Sequence, residues 1–564
     1  MPLSTRQRFT RLTVGAFVLL LLLVAPAGAV ASQQPPHSSS PSQPVASTAA
    51  RAPASSAAGF PTSLQPNSTA AKNSTVGYFD GYWYDSTIHV TPGDGLNRSE
   101  LHAYVARTMA RDELILHRNF RSDVPVTTTS RSSFQGDQQN ASSRTNGTHS
   151  KWNNDVWRAT FIVGHDRDVS KVLAGFYGGQ VQGYYAPSSN RIALVAPGNT
   201  TSFVDAPTLA HELTHAMQDQ YYNTSQPKFQ GRTQDQQLAV NGLLEGQANY
   251  VRDVYVHECQ TGQWSCLARP GSRSSGSSSG ARASGSSSGS TSAPSQLNYG
   301  VQWVVYFPYA KGPGYVNALR QQGGWAAVDR QFQHPPQNSA TIIAHRSVPT
   351  TPIHVTDTAR NGWQRYHGVG VDGTDSAGEA TIYSMFWWQS YRYGASVVPP
   401  GSILTQGDPF DQFNYTSAPS SGWAGDTIVP YHRAGASSDG YVWVTQWQTP
   451  RDARQFLAGY RTVLAAHNAT KASGTDLWQV PQSDPYAGTY RVVENGTRVT
   501  IVEGPTPEAV ADIRPDLAGA GSSAGPGASS AGQTTSSRAP GFDVVAALAA
   551  LLLAGALFVF ARRR

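Results

Sequence analysis

Two long apolar runs stand near the ends of the chain, Val14–Val24 and Asp543–Ala561, and the residues between them read as a folded body broken by polar tracts. Ahead of the first run lie Arg6, Arg8 and Arg11, and after it Ala27-Gly-Ala-Val-Ala31, the basic, apolar and small-residue order of a secretory signal over 1–31. Residues 32–75 are Ser, Pro, Ala and Gln with few large apolar side chains, which predicts a disordered spacer and order beginning near Val76. Asn97-Arg-Ser-Glu100 then opens a helix with Leu101, Val105 and Met109 at helical spacing. Residues 130–150 are polar and predict a surface loop. Gln180–Tyr185, Pro187–Asn190 and Arg191–Ala196 read as strand, turn and strand, and helical periodicity follows at 206–221 and 236–257.

A Ser/Gly-rich insertion at 270–295 ends this first part, 76–269. Helices at 297–322, 323–333 and 338–346 belong to a second part, 296–375. A smaller α+β section at 376–512 combines a helix at Glu379–Arg392, a strand at Tyr441–Trp447 and a helix from Pro450. It closes with a hairpin, Thr489–Glu494 and Arg498–Glu503, turned by Asn495-Gly496. A Gly/Ser/Ala stalk, 513–539, leads to the terminal segment 540–564. The pattern is that of an α+β protein, mainly helical, with a small mixed sheet.

Composition narrows what such a body can do. Thirteen Trp and 25 Tyr in 564 residues are ample for a packed core, and a mean hydropathy of −0.37 excludes a protein with many membrane spans. Forty-two basic against 36 acidic residues leave a net charge of +6, too thin an excess for a nucleic-acid partner. Ten Asn-x-Ser/Thr sequons, among them Asn140, Asn146 and Asn414, suit an exported glycoprotein. Cys259 and Cys266 enclose six residues including Gly262, and outside the cell they are expected to form a local disulfide.

The chemistry concentrates in Asp205-Ala-Pro-Thr-Leu-Ala-His-Glu-Leu-Thr-His-Ala-Met-Gln-Asp219. Asp205 suits an N-cap and Pro207 a first turn, so the motif begins a helix. His211 and His215, four residues apart, project from one helical face at the spacing two imidazoles need to share a zinc ion. Glu212 then lies beside the metal, placed to take a proton from a metal-activated water. Asp219 continues the His face and is expected to hydrogen-bond a ligand imidazole. A third ligand is sought downstream, where Glu245 stands among Gly242, Gly246 and Ala248, small residues that let helices approach closely. Asp253 and His257 are rival ligands; Glu245 is preferred because the rivals lie near the disulfide turn. Two His, one Glu and an open position make a catalytic site.

At these residues the chain resembles a known family. His211 through Gln220, with Leu244-Glu-Gly-Gln-Ala248, is similar to the gluzincin class of zinc metallopeptidases, and closest to a prokaryotic branch of exported members. Gly183–Pro187, Pro308–Gly312, Gly323–Asp329, Pro335-Pro336, Gly422–Asp426 and Trp447–Phe456 also look familiar, so the likeness spans roughly 76–512. The resemblance implies a zincin-like body, Zn2+ as cofactor and a peptide or protein substrate. It further implies that Gln180–Tyr185 or Arg191–Ala196 pairs with extended peptide, and that a Tyr or His stabilises the oxyanion, for which Tyr309 and His345 are the candidates. Where some gluzincins carry an Asp four residues after the third ligand, this chain has Asn249, which can hydrogen-bond a ligand but cannot raise its basicity as a carboxylate would.

The C-terminal tail, Pro540-Gly-Phe542, an apolar stretch and Arg562–Arg564, resembles archaeal surface-protein sorting signals. That likeness implies an archaeosortase-like processing enzyme and a membrane or lipid anchor at the cell surface. The expectation is a surface-anchored zinc metallopeptidase; the alternative is a non-catalytic surface glycoprotein of the same fold with an envelope or adhesion role.

Overall fold

A computed structural model describes residues 76–90, 96–142, 147–196, 205–267, 298–404, 408–411, 413–473 and 475–517, with Phe60, Leu64 and the backbone of a short strand, Leu19–Leu22. The Ser/Gly insertion, the stalk, the Pro540-Gly-Phe542 tail and most of the signal segment lie outside the described residues. Among the described residues no helix is long and apolar enough to cross a membrane. Phe60, within the stretch expected to be an unstructured spacer, stacks on His257 at 4.0 Å and meets Phe410 at 4.8 Å.

The architecture is α+β, with eleven helices among the described residues. In the first part, strands β1 (Leu19–Leu22), β2 (Tyr78–Phe79) and β3 (Tyr82–Trp83) precede helix α1 (Arg98–Leu116), whose N-terminus is closed by a reciprocal Asn97–Glu100 capping box. Strand β4 (Val126–Ser130) leads into α2 (Arg131–Ser142), α3 (Gly147–Ala159) and α4 (Val169–Gln180). Helices therefore occupy part of the stretch predicted as a surface loop. The reason is visible in α3: His149, Trp152, Asn153, Val156 and Trp157 lie on a buried face, and tertiary burial overrides the polar local composition.

Strands β5 (Val181–Ala186) and β6 (Arg191–Ala196) are antiparallel, and β6 runs parallel to β4, so the small sheet, in the order β1-β5-β6-β4, is mixed. The hydrophobic helix α5 (Ala206–Tyr222) lies against it, started by the Asp205 cap and Pro207. Then come α6 (Gln234–Gln260), α7 (Tyr299–Gln333) and α8 (Ser339–Ala344). The backbone of α7 leaves helical geometry at Gly323 and Gly324, the break expected there, and Gly324 has φ of 62°. The tightest helix packing is between α6 and α7: a Cβ on Gly246 would stand 2.6 Å from the Gly312 backbone. The glycine face of α6 is thus turned to α7, and at Gly242 to Ile342 of α8, whereas the sequence suggested that it would face the His-bearing helix.

The last section carries a seven-stranded antiparallel sheet in the order β10-β11-β12-β13-β9-β8-β7. Its strands are β7 (Gln364–Arg365), β8 (Trp423–His432), β9 (Gly440–Trp447), β10 (Thr470–Lys471), β11 (Leu477–Val480), β12 (Gly488–Asn495) and β13 (Arg498–Gly504). Side chains alternate along β9: Trp443 and Trp447 meet Phe456 of α10 (Pro450–Ala466), while Val442 and Val444 share a second core with Val510 and Ile513 of α11 (Pro507–Ile513).

Helix α9 (Gly378–Tyr393) joins this sheet to the rest through buried carboxylates. Asp235, at the start of α6, accepts hydrogen bonds from the Ser339 backbone and hydroxyl at the start of α8. Asp375 accepts from the backbone of Gln234, and Asp426 from Ala377 and Gly378. Burial raises Asp235 and Asp375 to about 7, and burial together with Asp235 raises Glu379 to about 8. The folded chain therefore holds protons that the unfolded chain releases near pH 4. That stability is complete below pH 4 and is lost as the pH rises through 7 to 8. With chelator present, the urea midpoint is expected to be higher at pH 5 than at pH 8.5; an equal or higher midpoint at pH 8.5 would contradict this.

Candidate metal centre

The center forms where α5, α6 and β5 meet. One turn separates His211 from His215 on α5, so both imidazoles leave the helix toward α6, where Glu245 faces them. His211 Nε2 and His215 Nε2 are 3.0 Å apart, and Glu245 Oε2 lies 3.2 Å from the first and 3.3 Å from the second. All three side chains are buried. Three ligands held about 2 Å from one ion at tetrahedral angles stand about 3.3 Å apart, so the triangle has the size of a divalent-metal site. Among the described residues no other His, Cys, Asp or Glu group converges in this way.

Protonation favors the same reading. Gln218 Nε2 donates to the Leu244 carbonyl at 2.8 Å and to Gln247 at 3.1 Å, which turns its carbonyl oxygen toward His215 Nδ1 at 3.0 Å. The His215 proton therefore sits on Nδ1, leaving the Nε2 lone pair aimed into the triangle. Burial lowers His211 to about 4, so that ring is neutral. Burial opposes ionisation of Glu245, yet the two imidazoles together hold it at about 2. Among the described residues the Glu245 oxygen that faces the two imidazoles makes no hydrogen bond, an orphaned buried acceptor that a bound cation would satisfy.

Glu212, on the next position of α5, is fully buried. Burial, and then the charge of Glu245, raise its carboxyl well above the usual range, against a backbone hydrogen bond from Tyr185. Strand β5 crosses directly over it: a Cβ on Gly183 would touch Glu212 Cγ at 3.4 Å. Glycine there leaves room for the carboxyl, and the neighboring edge of β5 pairs antiparallel with Leu19–Leu22.

The remaining predicted residues divide. Tyr309 of α7 lies beside the center, its ring nearly parallel to that of His211 at 6.4 Å. His345 belongs elsewhere: its Nε2 is 3.9 Å from Asp411, which is ion-paired with Lys311, and no contact among the described residues joins it to the two His or to Glu245. Asp219 does not reach a ligand imidazole; its carboxylate accepts from the Thr224 backbone and hydroxyl and from the Tyr185 hydroxyl. Asn249 is buried one turn past Glu245, but among the described residues neither its amide nor His211 Nδ1 finds a hydrogen-bond partner. The rival ligands are also occupied, Asp253 by Arg252 at 2.8 Å and His257 by Phe60. Cys259 and Cys266 form a disulfide beyond the end of α6.

Gln218 takes the place expected for Asp219. Its sequence signal was its position three residues after His215, which puts it over the Nδ1 side of that ring. Replacing Gln218 with Leu is expected to weaken zinc binding roughly 10- to 100-fold, measured by competition with a chromophoric chelator. Unchanged affinity would mean that the hydrogen bond does not orient the ring.

Residues 364–514 match the model of a family described as a domain of unknown function, DUF8575. That stretch is the section built on the seven-stranded sheet and leaves His211, His215 and Glu245 outside it. No curated protein and no solved structure matches the chain.

Proposed function

We propose that the chain is a zinc-dependent peptidase of zincin-like fold, with His211, His215 and Glu245 as metal ligands and Glu212 as general base. The observation that carries this reading is the buried triangle of two imidazole nitrogens and one carboxylate oxygen with a second, uncoordinated glutamate next to it. A zinc ion bound there supplies Lewis acidity.

The protein's own groups do the rest. Glu212 accepts the proton of the attacking water and returns it to the leaving amine, a role that its position beside the three ligand side chains suits. Tyr309, beside His211, is placed to donate to the oxyanion. The β5 edge aligns an extended peptide by the antiparallel pairing that Leu19–Leu22 makes with it, so that a carbonyl passes over Glu212. Export, a C-terminal anchor and processing by an archaeosortase-like enzyme place this activity at the cell surface.

The test is hydrolysis of an unfolded polypeptide by the zinc-loaded full chain. Cleavage that disappears with chelator and returns with zinc supports the proposal. A zinc-saturated chain that cuts no unfolded polypeptide overturns it.

A further inference from the structure

One corner of the first part is gripped by residues 364–514, the section that matches the family of unknown function. Phe161, in the turn after α3, has φ of 51°, a left-handed conformation that a non-glycine residue keeps only when its surroundings impose it. Its buried ring lies among Tyr460, His467, Tyr486 and Tyr490 of that section. Its carbonyl accepts from Gln389 Nε2 of α9 at 2.7 Å and from the Tyr486 hydroxyl at 2.9 Å. The His165 amide then donates to the Pro485 carbonyl at 2.8 Å, and a Cβ on Gly164 would stand 2.6 Å from that same oxygen. From this corner the chain runs through α4 directly into β5, the strand that crosses Glu212.

The grip closes on His467, buried just past the end of α10. Because Gln389 Nε2 donates to the Phe161 carbonyl, the atom that Gln389 turns to His467 Nε2 at 2.7 Å is its oxygen. On the other side of the ring, Asp484 Oδ2 stands 2.9 Å from His467 Nδ1. Both ring nitrogens therefore face acceptors. A neutral imidazole has one N–H and would press its other lone pair against oxygen, whereas an imidazolium donates to both. We propose that His467 is held as an imidazolium and works as a proton-operated latch. Charged, it closes residues 364–514 on the Phe161 corner; deprotonated, it releases that corner. The other titratable groups against the ring are the phenols of Tyr393 at 4.5 Å and Tyr486 at 4.9 Å. Burial raises both phenols, so they stay neutral. The charges of Asp166 and Arg392 act on Tyr393, whereas the charge acting on His467 is that of Asp484. Burial opposes the His467 charge and Asp484 favors it. Raising the pH then strips the proton and leaves one of the two oxygens against a bare nitrogen, a costly arrangement away from water.

The test uses the full chain with isotope-labeled histidine rings, and none of its readouts depends on zinc or on peptide hydrolysis. By nuclear magnetic resonance, the wild-type His467 ring should carry protons on both nitrogens at pH 5 and on one at pH 8.5. Hydrogen exchange at the His165 amide, corrected for the intrinsic effect of pH, reports whether the corner is held. It should be at least about ten-fold faster at pH 8.5 than at pH 5, the scale of one hydrogen bond to a charged group. Asp484→Asn separates the latch from every other buried acid. The new side-chain oxygen still accepts from the Tyr486 amide, as Asp484 Oδ1 does at 2.8 Å, and its NH2 donates to His467 Nδ1. A neutral ring with its proton on Nε2 then fits between the two amides, so the variant should keep the corner closed at both pH values. A bare ring nitrogen in the wild type at pH 5 would overturn the latch. So would the same pH-dependent exchange at His165 in Asp484→Asn as in the wild type.

Discussion

Glu212→Gln is expected to lower kcat for peptide hydrolysis by roughly 10²- to 10⁴-fold, the usual contribution of a positioned general base, while zinc remains bound. The amide is nearly isosteric with the carboxyl, so the space under Gly183 stays filled and α5 keeps its packing on β5. What changes is the ability to take a proton. Because Glu212 is not one of the three converging ligands, zinc affinity should stay within a few-fold of wild type. Loss of activity with zinc content intact assigns proton transfer to Glu212; undiminished proteolysis in the zinc-loaded variant would remove it from the mechanism.

His215→Ala should act on the other half of the center. It deletes one of three ligands and leaves Gln218 without the ring it orients. Zinc that binds only the folded wild-type chain raises its stability by about 4 kcal/mol when free zinc exceeds the dissociation constant a thousand-fold. The variant should lose nearly all of that gain, so wild type with zinc melts well above wild type with chelator, whereas His215→Ala melts at one temperature in both. A zinc-dependent rise that persists in His215→Ala, and in His211→Ala beside it, would place the ion elsewhere in the chain.

How far these residues could be read from the sequence depends on whether their geometry is local. His211 and His215 are one helical turn apart, so helix geometry alone aligns them, and the Asp205 cap fixes where that turn begins. Glu245 required a tertiary guess, made possible because a lone carboxylate stood on a helix of small residues. The glycines in that helix signaled close approach, but they meet α7 and α8 and not the His-bearing helix. Asp219 and His345 show the limit. Asp219 shares the His face, yet three donors from Thr224 and Tyr185 hold its carboxylate, and the last of these comes from a strand 34 residues away. His345 ends α8 with φ of 53° and turns toward Asp411, a residue with no motif to announce it. The α2 and α3 helices were hidden for a related reason: their polar residues matched a loop, and only burial of Trp152 and Trp157 decides otherwise.

The most direct measurement is anomalous diffraction at the zinc edge from crystals of the zinc-loaded full chain. One strong peak is predicted about 2 Å from His211 Nε2, His215 Nε2 and a Glu245 carboxylate oxygen, with Glu212 alongside and outside the coordination sphere. A zinc-saturated crystal with no peak among these three side chains would contradict the account.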